Sequence, residues 1–122
     1  MTKTKPLPSA VEVEKSVLNT LISSPANIFT AAQLLTPECF YLPKNGHIWK
    51  EIAKRHEKQQ PIDVLSVAQG VAKSGSMSFA EASSYLVELG QTSFSFDLTG
   101  NVKTIYEKFL SLIHISEPTR PY

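Results

Sequence analysis

Between Glu38 and Gln69 the chain reads ECFYLPKNGHIWKEIAKRHEKQQPIDVLSVAQ, two helical patterns separated by a proline. Ile48, Trp49, Ile52, Ala53 and His56 recur at steps of three and four, which places them on one side of a helix, with His56 at the edge of the core. Lys50, Glu51, Lys54, Arg55 and Lys58 fall on the other side. The pattern stops at Gln59-Gln60-Pro61, because proline has no amide for the helical ladder and restricts the residue before it. Asp63 has the chemistry of an N-cap, a short carboxylate able to accept from the free amides of a new first turn. The helix it opens would bury Val64, Val67, Ala68 and Val71 and end near Gly75.

The same grammar extends in both directions. Residues 1–8 carry lysines and prolines without periodicity and read as a flexible arm. Ser9-Ala10-Val11-Glu12 has the spacing of a capping box and predicts a helix from Ser9, with Val13, Val17, Leu18, Leu21 and Ile22 buried. Pro25 suits the first turn of a second helix carrying Ile28, Ala31, Ala32 and Leu35, and Thr36-Pro37 repeats that start as a short turn through Phe40. After the Asp63 helix, Ser78-Phe79-Ala80-Glu81 is a further capping box, followed by the stripe Phe79, Ala82, Tyr85, Leu86 and Leu89 and a stop at Gly90. A polar link holds Phe94 and Phe96, residues that either close over the end of the core or mark a partner surface. A last helix begins between Asp97 and Asn101 with Val102, Ile105, Tyr106 and Phe109 on one side. The fold class is all-α, a compact bundle of about six short helices, with no convincing strand.

At 122 residues the chain is long enough to hold one core without staples. Its 12 Lys and Arg against 11 Asp and Glu give a net charge of +1, so broad phosphate contact with a duplex is not expected and a nucleic-acid role would need a local patch. One cysteine, Cys39, forms neither an internal disulfide nor a thiolate zinc cage. No stretch approaches a membrane span and no apolar run follows the N-terminal lysines, so a cytoplasmic protein is expected.

Chemistry is sparse. A nucleotide-hydrolysing site needs a glycine-rich loop ending in Gly-Lys-Ser/Thr, and no Gly-Lys pair occurs anywhere. His47 and His56 lack a suitably spaced carboxylate, which leaves no metal site. Cys39, between apolar neighbours, reads as a small buried hydrophobe. Glu12 and Glu14, two apart, point to different sides of their helix and make no catalytic pair. The densest positive cluster is Lys50, Lys54, Arg55 and Lys58. It is a candidate partner or nucleic-acid surface, although an i,i+4 pairing of Glu51 with Arg55 and the intervening Glu57 also suit a solvated face.

Five stretches in order, LPSAVEVEKSVLNTLI, LLTPECFYLPKNGHIWKEI, QPIDVLSVAQGVAKSG, SSYLVEL and NVKTIYEKF, resemble the N-terminal domain of the bacterial replicative DNA helicase, the DnaB family. The resemblance spans about Pro8 to Phe109 and rests on Pro8 with Glu12 and Glu14, Val17-Leu18, Phe40-Tyr41, Ile48-Trp49, Pro61-Ile62-Asp63 and Tyr85-Leu86. Asn19 stands where the family usually has glycine, Ala82-Ser83-Ser84 replaces paired glycines, and the link from Gln91 to Gly100 is unlike the family's. The resemblance implies a helical head over residues 9–96 and the start of a helical hairpin arm over 97–109. It further implies domains that pair with one another within a hexameric collar, docking of primase and, as a further partner, a helicase loader, and DNA threading the ring. ATP and magnesium would belong to a motor outside this sequence, leaving this stretch without cofactors or catalysis. Residues 110–122, LSLIHISEPTRPY, are similar to a translated transposon-end sequencing adapter and are expected to be non-native. The rival reading is a small helical DNA-binding domain placing the Trp49 or Asp63 helix in a groove, against which the Asp63 helix offers only Lys73.

Overall fold

The computed structural model describes residues 8–92, 94 and 97–116, with side chains given for 11–92, 94 and 97–111. Among the described residues six α-helices follow one another: α1 (Pro8–Ser23), α2 (Ile28–Ala32), α3 (Pro43–Glu57), α4 (Val64–Ser74), α5 (Phe79–Gly90) and α6 (Leu98–Ser116). Single 3-10 turns at Pro25–Asn27 and Pro37–Cys39 precede α2 and α3. No strand occurs among the described residues, as the sequence requires.

Local chemistry sets the boundaries. The Asp63 carboxylate accepts from the Ser66 amide at 2.8 Å, and Ser78 Oγ accepts from the Glu81 amide at 3.1 Å, so each supplies a partner for a first-turn donor that the helix itself leaves unpaired. Gly75 ends α4 in the left-handed region, φ 85°, as its position predicts. Gly90 differs: it is the last residue of α5, and Gln91 closes the helix with φ −93° and an amide bond to Glu88 O. The stretch predicted as one helix from Pro25 winds first as a 3-10 turn and only then as α2. Helix α1 includes Pro8, one residue before the expected start, and the Ser9 side chain lies outside the described residues.

The predicted stripes converge on one core. Val17, Leu18 and Leu21 from α1 meet Ile28 and Ala31 from α2 and Ile48, Trp49 and Ile52 from α3. Val67, Ala68 and Val71 from α4 join Ala82, Leu86 and Leu89 from α5, and Val102 and Ile105 complete the cluster from α6. Phe40 tilts against Trp49 with ring centroids 6.4 Å apart. Cys39 is buried, as expected, with Sγ 3.5 Å from the Thr36 amide.

Four expectations of burial fail. Phe79 and Val64 are exposed because each is the first residue of its helix, at the margin of the packed stripe. Ala32 is exposed at the end of the short α2, and His56 is exposed in the last turn of α3, just before the chain turns away.

Candidate docking surface

Helix α3 supplies the predicted cluster. Lys50 and Lys58 are exposed. Arg55 Nε donates to Glu51 Oε2 at 2.8 Å, Arg55 Nη1 donates to Pro61 O at 3.2 Å, and Lys54 Nζ stands 3.6 Å from Glu51 Oε1. The expected i,i+4 pair is therefore present, but Glu51 is not on the solvated side where the helical count placed it. It is 5 % exposed, covered by α4. Gly70 permits that cover, since a Cβ there would fall 1.9 Å from Glu51 Oε2.

The consequence is a groove between α3 and α4, lined by Glu51, Lys54, Arg55, Lys58, Gln60, Gly70, Lys73 and Ser74. Lys54, Arg55 and Lys58 are brought together there, whereas Lys50 is not part of the lining. Lys73 joins them from α4. Sequence reasoning saw Lys73 only as an isolated charge, because nothing in the α4 pattern says which helix its polar edge will face. Phe94 is 54 % exposed, so it does not close over the core. Phe96 lies outside the described residues.

A second polar cluster had no counterpart in the expectations. Glu14 accepts from the Tyr41 amide at 2.6 Å and from Asn45 Nδ2 at 2.8 Å, and the Tyr85 hydroxyl donates to Asn45 Oδ1. Glu14, Asn45 and Tyr85 are all buried, and Lys44 Nζ sits 4.3 Å from the centroid of the Tyr85 ring. Burial raises the Glu14 carboxyl above its ordinary range, against the opposing pull of the bonds from Asn45 and the Tyr41 and Leu42 amides. Burial likewise raises the Tyr85 phenol. A perturbed carboxyl in a cleft suggests catalysis; here both carboxylate oxygens are engaged in joining α1, α3 and the turn before α3, so the cluster is a clamp. The spacing did contain a signal, since Glu14 lies three, four and seven residues before Val17, Leu18 and Leu21 and so shares their stripe.

This arrangement of helices corresponds to known proteins. Residues 6–107 match the model of the DnaB-like helicase N terminal domain. The chain belongs to this family. A replicative DNA helicase DnaB of Rhodothermus marinus is 34% identical over 82 residues, and that of Geobacillus stearothermophilus 29% identical over 82 residues, in each case 67% of this chain. Those stretches amount to 9% and 18% of the two relatives' lengths.

The fold is likewise that of solved DnaB N-terminal domains. The domain from Helicobacter pylori, described with its interactions with primase, superposes with a TM-score of 0.77 at 23% identity, covering 88% of this chain and 85% of that one. The domain from Mycobacterium tuberculosis gives 0.78 at 23% identity, covering 86% and 77%. Asn19 Nδ2 donates to Thr92 O at 2.7 Å and so ties α1 to the link after α5. No helix among the described residues is long and apolar enough to cross a membrane.

Proposed function

We propose that this chain is an assembly and docking domain, the N-terminal collar unit of a hexameric replicative DNA helicase that pairs with its own kind and seats primase. ATP-dependent unwinding, with its magnesium and the DNA threading the ring, belongs in this reading to a motor elsewhere in the parent polypeptide. The observation that carries the reading is the family match over residues 6–107. The absence of any Gly-Lys pair from the sequence agrees with it, since the phosphate-binding chemistry of a motor has no residues here.

Long-read sequencing of the locus tests the parent: the expected outcome is a frame that runs on past Phe109 into a Gly-Lys-Thr/Ser loop, and a genuine stop there overturns it. For assembly, residues 1–109 should associate weakly in sedimentation, the hairpin arm being only begun. A strictly monomeric profile at high concentration counts against ring pairing.

A further inference from the structure

We propose that the groove between α3 and α4 receives an acidic segment of a partner protein, a stretch of chain rich in Asp and Glu carboxylates. The proposal rests on the docking reading above and gives it a place and a chemistry. Four cations, Lys54, Arg55, Lys58 and Lys73, face one carboxylate, Glu51, so the groove alone holds more net positive charge than the +1 of the whole chain. Glu51 does not cancel the site. Fixed beneath α4, it holds Arg55 and Lys54 in place, which lowers the entropy a ligand would otherwise lose in ordering them. Lys58 and Lys73 have no ion-pair partner among the described residues.

The cations are spread along the groove instead of converging on one point, which suits a chain better than a single small anion. Lys54 and Lys58 are separated by about 6 Å of helix axis. Alternate side chains of an extended peptide are about 6.6–6.8 Å apart, so carboxylates two residues apart can meet the two lysines in turn. Nucleic acid is the poorer match. No aromatic side chain lines the groove to stack a base, and the positive charge is too local for the many phosphate contacts that hold a duplex.

Fluorescence anisotropy with a labelled short Asp/Glu-rich peptide tests the site, set beside a Gln/Asn peptide of equal length and single-stranded oligothymidylate. The acidic peptide should bind the wild-type chain in a salt-dependent manner. Replacing Lys58→Gln and Lys73→Gln together should weaken it by about tenfold, from the usual strength of exposed charge pairs. Lys103→Gln with Lys108→Gln, on exposed positions of α6 outside the groove, should leave it unchanged. Equal loss in that control, absence of peptide binding, or tighter binding of oligothymidylate overturns the proposal.

Purified bacterial primase forms a separate arm. Primase that binds the wild type and the Lys58/Lys73 variant alike, while the peptide fails, overturns the groove and leaves docking standing. Failure of primase to bind at all, with peptide binding intact and groove-dependent, overturns primase docking and supports the groove as a receptor for another acidic partner.

Discussion

Glu14 is the residue on which opposing effects are most clearly separated. The amide of Tyr41 and the side chain of Asn45 favour its charged form, yet burial favours the neutral acid and is the larger influence. Since folding raises its value above the ordinary 4.5, between those two values the native state holds more protons at Glu14 than the unfolded chain does. Its contribution to stability is therefore fully present below 4.5 and is lost as pH rises through the raised value. Glu38, lowered chiefly by its bond with Thr36, and Glu88, lowered chiefly by its bond with Lys15, act with the opposite sign: their contributions are present above 4.5 and are lost as pH falls through their own folded values. The two windows do not overlap. In denaturant unfolding, the stability of the wild type relative to Glu14→Gln should grow as pH is lowered from neutral toward 4.5; a difference that shrinks on acidification would show that burial does not govern this carboxyl.

At the scale of the helix, α3 ends by a device the sequence did not announce. Gln59 adopts φ 58°, the left-handed conformation that usually falls to glycine, and lets the Gln60 amide reach back to Arg55 O at 2.8 Å. A side chain in that conformation costs about 1–2 kcal/mol, partly offset by the greater freedom glycine has in the unfolded chain, about 0.5–1 kcal/mol. Gln59→Gly should accordingly stabilise the fold by about 0.5–1 kcal/mol, seen as a rise of a few degrees in the thermal midpoint. A lowered midpoint would mean that the Gln59 side chain makes a contribution larger than its backbone strain. Pro61 had explained only why the helix could not continue; the bond that closes it comes from the two residues before. The caps at Asp63, Gly75 and Ser78 were legible because each involves a side chain or backbone angle within three residues of the helix end, whereas Gly90 was misjudged because a 3-10 finish needs no left-handed residue.

For the whole molecule, the question is what belongs to the core. Residues 97–109 read as the start of an arm, yet Val102 and Ile105 are buried in the same cluster as α1, α2 and α3. Burying each such side chain is worth about 1.5–3 kcal/mol, and a domain of this kind has only about 5–15 kcal/mol in hand. A chain ending at residue 96 should thus lose about 3–6 kcal/mol and most of its cooperative melt, while one ending at residue 109 should unfold in a single transition by circular dichroism. Equal midpoints for the two would show that α6 is not part of the cooperative unit. The exposed Lys15–Glu88 pair, 2.9 Å between charged atoms, joins α1 to α5 but adds little at the surface.

Local pattern was enough to establish the helical class, the apolar stripes and most caps, because a 3.6-residue period and the unpaired amides of a first turn are satisfied within a few neighbouring residues. It was also enough for family membership, through motifs read in order. Only tertiary structure decided which polar groups leave water. Glu14 is held by Tyr41 and Asn45, and Asn45 in turn by Tyr85, residues far apart in the chain that meet only when α1, α3 and α5 pack. Glu51 is buried because α4 crosses it at Gly70, and Lys73 joins Lys54, Arg55 and Lys58 through that same crossing. Periodicity says which side of a helix is apolar; it does not say which helix will lie against that side, and the charge of the groove depends on that pairing.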